Sequence, residues 1–343
     1  TLTLAGANES AGATGDLDVA SVITIFGAGL SLTTIAGGQL DRVFDITSAG
    51  NLSLQGVTVS GGRVTGTATG GGIRNAGTLT ATSSAITGNS AEWDGGGLAN
   101  TGSATLTNST VSYNTGRIGG GVFSPSVLTV SGSTIEHNTA TAFGGGIETD
   151  TGSTLVMTAS IVRANNAPTG GGLLLNTTNG TITDTLIENN VAASGVGGGI
   201  SISGISGQTH TDLLRTTIRG NTSGSGGGVY LQSAIVNIND SLISGNTATV
   251  DGGGIYTTTV NALTLTNTTV SGNTAATNGG GIRLGATNAT ILNSTITANT
   301  AATASGVYEN LFSGNVSVTL VNTIVAGNTG NRDIVGDYLS NTN

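Results

Sequence analysis

The chain has 343 residues, a net charge of −9 and 8% charged residues, against roughly a quarter in ordinary globular proteins. Its nine basic residues are all Arg and form no basic stripe, which argues against a nucleic-acid partner. The absence of Cys excludes thiol and disulfide chemistry, and no apolar run approaches the roughly 20 residues that span a bilayer.

The opening segment, TLTLAGANES…GDLDVAS…LDRVFDI over 1–46, carries short apolar alternations without the marks that follow; we read 1–45 as lead-in coils. From residue 46 the chain is repetitive. Gly-Gly-Gly followed by an aliphatic residue occurs nine times, at Ile73, Leu98, Val122, Ile147, Leu173, Ile200, Val229, Ile255 and Ile282, at intervals of 24 to 29 residues. A second mark, Ile or Val followed three positions later by Asn, keeps step with it. Its Asn members are Asn89, Asn114, Asn138, Asn165, Asn190, Asn221, Asn246, Asn273, Asn299 and Asn328. Such a period means one supersecondary unit repeated, its core made by stacking.

The unit 252–278, GGGIYTTTVNALTLTNTTVSGNTAATN, shows local period-2 alternation and no helical period. Thr, Val and Ile suit a pleated surface, while Gly and Asn-Thr punctuate turns. The predicted fold is therefore all-β: a single-stranded right-handed parallel β-helix, or β-solenoid. About 26 residues per coil and 11–12 coils at a strand spacing of about 4.8 Å predict a rod roughly 50–60 Å long. The Asn column is expected to adopt the left-handed conformation of a sharp corner and to ladder its amides. The Gly triplets are expected at another corner, where positive φ and close approach exclude a Cβ.

Spacing between the marks places extra length near 201–212 and 308–316, predicting loops on one side of the coils. Regular coils are predicted over 46–335 and a C-terminal tail over 336–343. The abrupt opening at Thr1 and close at Asn343 read as an excised portion of a longer polypeptide.

The alternation of GGG[ILV] with [IV]xxN resembles the repeats of chlamydial-type polymorphic outer membrane proteins, which carry GGA[ILV] and FxxN. It is also similar to a broader group of secreted bacterial β-helix proteins with repeats close to GTLTLTNSTVSGNTA…GGGIYN. That string survives in Ala262–Ala275 and in Ala104–Ser112. The segment 1–46 resembles the lead-in coils of the second group, whose members often carry a CSLREA-like motif upstream. The resemblance implies a parallel β-helix and a secreted, surface-associated life. It names no activity, because the shared residues are scaffold.

Many parallel β-helices cleave polysaccharides. Lyase chemistry needs Ca²⁺-binding acids beside a base, and hydrolysis needs paired carboxylates at a cleft. Asp16 and Asp18 are the closest Asp pair but resemble scaffold positions of the lead-in coils. His137 and His210, the only histidines, fall in different coils, so no His-ligated metal site is expected. Aligned on the Asn mark, Glu136, Arg163, Glu188 and Arg219 form one column on successive coils, and Asp184, Arg215 and Asp240 form another. They read either as alternating-charge ladders or as an Arg base beside Ca²⁺-binding carboxylates; regular alternation of sign favours the ladder.

Two aromatic groups are binding candidates. Tyr230, Tyr256, Arg283 and Tyr308 follow the aliphatic mark on consecutive coils and are expected to face outward, as a sugar or protein platform or as a supporting ladder. Trp93, Arg117, Ile118 and Phe143 precede the Gly triplets of three coils, near Tyr113 and His137. No outward Thr column runs unbroken, which leaves ice binding a minor reading. The expected function is a structural or adhesive segment of a secreted, extracellular bacterial surface protein, non-enzymatic and without cofactor; Ca²⁺ is the one ion left open, with no clear site for it in the sequence. Its partners would be further copies of itself in a fibre, or surface glycans and proteins. A carbohydrate-binding or lyase-like β-helix is the alternative.

Overall fold

A computed structural model describes residues 2–3, 15–204, 209–310, 317–336 and 338–340. Much of the opening decapeptide, the insertion residues 205–208 and 311–316, and part of the tail lie outside the described residues. Among the described residues there is no helix, and every strand pairing is parallel. The fold is an all-β parallel β-solenoid. It divides into two compact units, 1–167 and 168–343.

Each coil presents three faces. In the first unit a regular coil begins with a strand after the Gly triplet, such as Leu98–Asn100, followed by Ser103–Thr107 on the same face. The second face holds Thr110–Ser112 and the third Thr115–Ile118. The second unit repeats this with Ile255–Thr257 and Thr259–Thr266, then Thr269–Ser271, then Thr274–Ala275. Register is strict: Ile73, Leu98 and Val122 stand one above another, as do Val229, Ile255 and Ile282. The two longer insertions interrupt the first face, between Ile200–Ser203 and His210–Leu214 and between Val307–Glu309 and Val318–Val321.

Alternation puts every second residue of each strand inside. The inward columns, for example Leu79, Ala104, Leu128 and Leu155 beside Ile86, Val111, Ile135 and Val162, are almost wholly buried. Each fully buried Val, Leu or Ile contributes about 1.5–3 kcal/mol, so stacked apolar columns are the main source of stability. The third face takes mostly small inward residues, such as Ala91, Ala140, Ala248 and Ala275, with Val64 the larger one at its start.

Asn side chains tie the coils together inside the corner between the second and third faces. Asn114 Nδ2 donates to Asn138 Oδ1 of the following coil (3.0 Å) and to the Ile86 carbonyl of the preceding one (2.9 Å). Its own Oδ1 accepts from the backbone N and Nδ2 of Asn89, both at 3.0 Å. The same geometry runs from Asn89 to Asn165 in the first unit and from Asn190 to Asn328 in the second. At Asn328 the carboxylate of Asp333 takes over as acceptor (2.8 Å).

One expectation needs correction. The left-handed residue of this corner is not the ladder Asn but the residue before it: Gly88, Tyr113, His137 and Ala164 in the first unit, and Asn189, Gly220, Gly245, Gly272, Ala298 and Gly327 in the second. The ladder Asn must direct its side chain inward, and the preceding residue makes the turn.

The Gly triplet contains two constraints. Its first member has positive φ, as at Gly95 (67°) and Gly252 (64°). The second and third are held by contact: a Cβ on Gly120 would lie 2.4 Å from the Thr139 carbonyl oxygen, and one on Gly121 would lie 2.9 Å from the Asn138 carboxamide carbon. The third Gly therefore clears the space that the Asn ladder fills.

Removing a ladder amide leaves buried partners without hydrogen bonds, so Asn246→Ala should lower unfolding free energy by about 3 kcal/mol or more in denaturant melts. Gly120→Ala should be at least as damaging. In contrast, Gly88→Ala, where nothing lies within 4 Å of the added Cβ, should cost only the left-handed penalty of about 1–2 kcal/mol.

Candidate functional site

Stacking at fixed register brings equivalent outward residues of successive coils side by side, and the candidate sites are all columns of this kind. The left-handed residue that opens the second face forms one. It is Ser83, Asn108, Gly132 and Ala159 in the first unit and Asp184, Arg215, Asp240, Asn267, Asn293 and Asn322 in the second; Gly132 has φ of 57° and the others lie between 46° and 52°. Arg215 reaches Asp184 through two bonds, Nε to Oδ1 at 2.6 Å and Nη2 to Oδ2 at 2.9 Å. Asp240 accepts from Asn267 Nδ2 at 3.0 Å. On the second face itself Arg219 pairs with Glu188 at 2.7 Å, and in the first unit Arg163 pairs with Glu136 at 2.7 Å. Between the columns lies a shallow open depression of about 400 Å³, lined by Asp184, Thr185, Leu186, Arg215, Thr217 and Arg219. Its fork-to-carboxylate bonds hold Asp184 below the usual carboxylate range and raise Arg215 further from neutrality. A guanidinium held protonated in this way is a poor general base.

The column after the aliphatic mark is sheltered rather than freely exposed. Leu174 and Ser201 are buried, and Tyr230, Tyr256, Arg283 and Tyr308 are half-buried. Tyr230, Tyr256, Arg283 and Tyr308 stand in direct register. The Tyr230 and Tyr256 rings stack with centroids 5.5 Å apart and a 9° tilt, and Arg283 Cζ lies 4.5 Å from the Tyr256 ring centroid. Arg283 also donates to the Thr257 carbonyl (3.1 Å) and lies 3.9 Å from Asp251. Burial raises the Tyr256 hydroxyl pKa, with Arg283 opposing.

In the first unit Arg117 Cζ lies 4.2 Å from the Trp93 ring centroid, and Ile118 pairs in register with Phe143. Trp93 and Phe143 are about two-fifths exposed (38% and 43%). Tyr113 and His137 occupy the left-handed position at the other end of this third face and stack with centroids 4.9 Å apart and a 6° tilt. Their strain, about 1–2 kcal/mol each, is partly offset by the ring contact.

The lead-in coils hold the only group of three or more His, Asp or Glu among the described residues whose ligand atoms are close enough for one metal ion: Asp16, Asp18 and Asp45. Asp18 and Asp45 stack in register, and Arg74 follows below Asp45. Burial, opposed by Arg42, raises Asp16 to about 7.

Sequence reasoning missed a second internal ladder. Two positions before each Ile or Val of the Asn mark stands Ser or Thr: Ser84, Ser109, Ser133 and Ser160 in the first unit, and Thr185, Thr216, Ser241, Thr268, Ser294 and Thr323 in the second. Ser84 N donates to Ser109 Oγ (3.1 Å), which donates to the Thr107 carbonyl (2.8 Å). The signal was present as an unbroken hydroxyl column, hidden by the general abundance of Thr and Ser.

Because Arg215 stabilises the Asp184 carboxylate, stability from this pair is present above the normal Asp range and lost as pH falls through the depressed pKa. In an NMR titration Asp184 should titrate below the usual range, and Arg215→Ala should return it upward.

Residues 240–258 and 267–284 match the Chlamydia polymorphic membrane protein repeat. No curated protein sequence matches the chain. Among solved structures, the Azotobacter vinelandii mannuronan C-5 epimerase AlgE6 A-module aligns over 96% of this chain and 90% of its own, with 12% identity and a TM-score of 0.32. At that score the likeness bears no weight.

Proposed function

We propose that the chain is a non-enzymatic structural and adhesive segment of a secreted bacterial cell-surface protein. The observation that carries this reading is the pairing state of its charged columns. Arg215 is forked onto Asp184, Arg219 and Arg163 are paired with glutamates, and Asp240 holds an Asn amide. Ladders of this kind lock the register of adjacent coils and leave these groups poorly placed for proton transfer. The match of 240–258 and 267–284 to a polymorphic membrane protein repeat supports a place at the cell surface.

The adhesive element is the Tyr230–Tyr256–Arg283–Tyr308 column. Two parallel rings with a guanidinium stacked on the second offer apolar faces and hydrogen-bond donors together, the combination that binds the flat face of a sugar ring or an aromatic side chain. End-to-end association into an extracellular fibre is the finer part of the proposal, motivated by the open hydrogen-bonding edges that a solenoid presents wherever its coils stop without a cap.

Full-length chain should bind a surface-glycan or cell-surface preparation, and Tyr256→Ala with Arg283→Ala should weaken binding by roughly tenfold or more. Arg215→Ala should leave that binding intact. Appearance of new reducing ends or unsaturated sugars after incubation with polysaccharide would overturn the non-enzymatic reading. Electron microscopy decides the fibre: regular polymers support it, and discrete particles at every concentration reject it.

A further inference from the structure

The outward column of the first face begins with an arrangement that a parallel ladder should avoid. Asp18 stands directly over Asp45 in register, and like charges directly opposed across strands are destabilising. Asp45 is compensated: Arg42 Nη1 reaches its Oδ2 at 2.7 Å, and Arg74 Nη1 reaches both oxygens at 2.7 Å. Asp16 joins them from the residue preceding the strand Leu17–Val19, with Arg42 3.3 Å from its Oδ2. Asp18 forms no ion pair among the described residues.

Two oxygens of this cluster are unexplained. Asp16 has a side chain only 2% exposed, and its Oδ1 is sealed from solvent without a hydrogen-bond partner among the described residues. Asp18 Oδ2 is likewise sealed and, among the described residues, without a partner. A buried carboxylate oxygen left without a donor is strongly unfavourable, and two in one cluster call for a cation. One oxygen each from Asp16, Asp18 and Asp45 lies within 4.8 Å of the others, a spacing compatible with Ca²⁺–O bonds of about 2.3–2.6 Å. Donors that are all carboxylate oxygens favour a hard cation over zinc or copper, and Mg²⁺ demands a tighter octahedron.

We infer that Asp16, Asp18 and Asp45 form a structural calcium site that ties successive lead-in coils to each other. Asp45 bridges, accepting from Arg42 and Arg74 while offering a lone pair to the ion; the guanidiniums orient it. The ion removes the Asp18–Asp45 repulsion and satisfies the sealed oxygens. It touches neither aromatic column, so the site stands independently of the proposed adhesive function.

Equilibrium dialysis of chelator-treated full-length chain against calcium tests the site, with folding of every variant checked by circular dichroism. One saturable Ca²⁺ per chain is expected, with a dissociation constant of about 10⁻⁴–10⁻³ M, as in extracellular modules. Asp18→Asn and Asp16→Asn should each abolish it, whereas Asp240→Asn, far along the sequence, should not. At about 10 mM CaCl₂ the wild type should melt roughly 2–4 °C higher than without calcium, and Asp18→Asn should show no such shift. Without calcium Asp18→Asn should be at least as stable as wild type, because it loses the like-charge contact; with calcium the order should reverse. No saturable uptake by the wild type overturns the proposal, as does equal uptake by Asp18→Asn or equal loss in Asp240→Asn.

Discussion

Coils of this protein stack at the spacing of a parallel sheet, and whatever lies at a corner must fit that spacing in every coil. The Asn ladder is the interaction on which the rest depends. Each carboxamide uses both its donors and its acceptor on neighbouring coils, so a group that would be expensive to bury becomes a fastener across the stack. The fastener has a steric condition. Its amide occupies the space where the third Gly of each triplet would carry a Cβ, so the two sequence marks are two halves of one contact. The hydroxyl ladder through Ser84, Ser109 and Ser133 performs the corresponding task at the corner where the first face turns into the second.

With the interior committed to scaffold, chemistry is confined to the outward columns, and the same spacing governs them. Rings in equivalent positions must stack, as Tyr113 does on His137 and Tyr230 on Tyr256. Charges must alternate or be neutralised. Arg215 over Asp184 meets the first condition. Asp18 over Asp45 violates it and is relieved only in part by Arg42 and Arg74. A column is therefore either self-satisfied and structural, or it carries a residual demand for something outside the chain. Among the described residues the acidic group of the lead-in coils, with its sealed oxygens, is one place where such a demand remains, and the half-buried Tyr–Arg platform is where we propose that a partner binds.

Legibility followed repetition. The period, the strand pattern, the inward aliphatic columns and the Asn and Gly corners recur in coil after coil, so independent copies reinforce one reading. The finer geometry of the Asn corner was not legible: Tyr113, His137, Ala164 and Asn189 share no chemistry, and only backbone φ reveals that their position, not the Asn, makes the left-handed turn. The Ser/Thr ladder was legible in principle but camouflaged by composition. Asp45 lies 27 residues beyond Asp18, in coils without regular marks, so their contact depends on a register that no motif announces.

The sequence alone determined the architecture, because a 24-to-29-residue repeat of alternating apolar residues, Gly triplets and Asn can bury its apolar face only by stacking on copies of itself. In the coils that carry the two marks it also determined which residues share a column. Tertiary structure decided what each column does: whether two neighbours hydrogen-bond, stack or repel, and which atoms remain sealed without a partner. Those outcomes turn on ångström-scale register and burial, which depend on the coil above and the coil below rather than on the order of residues within one.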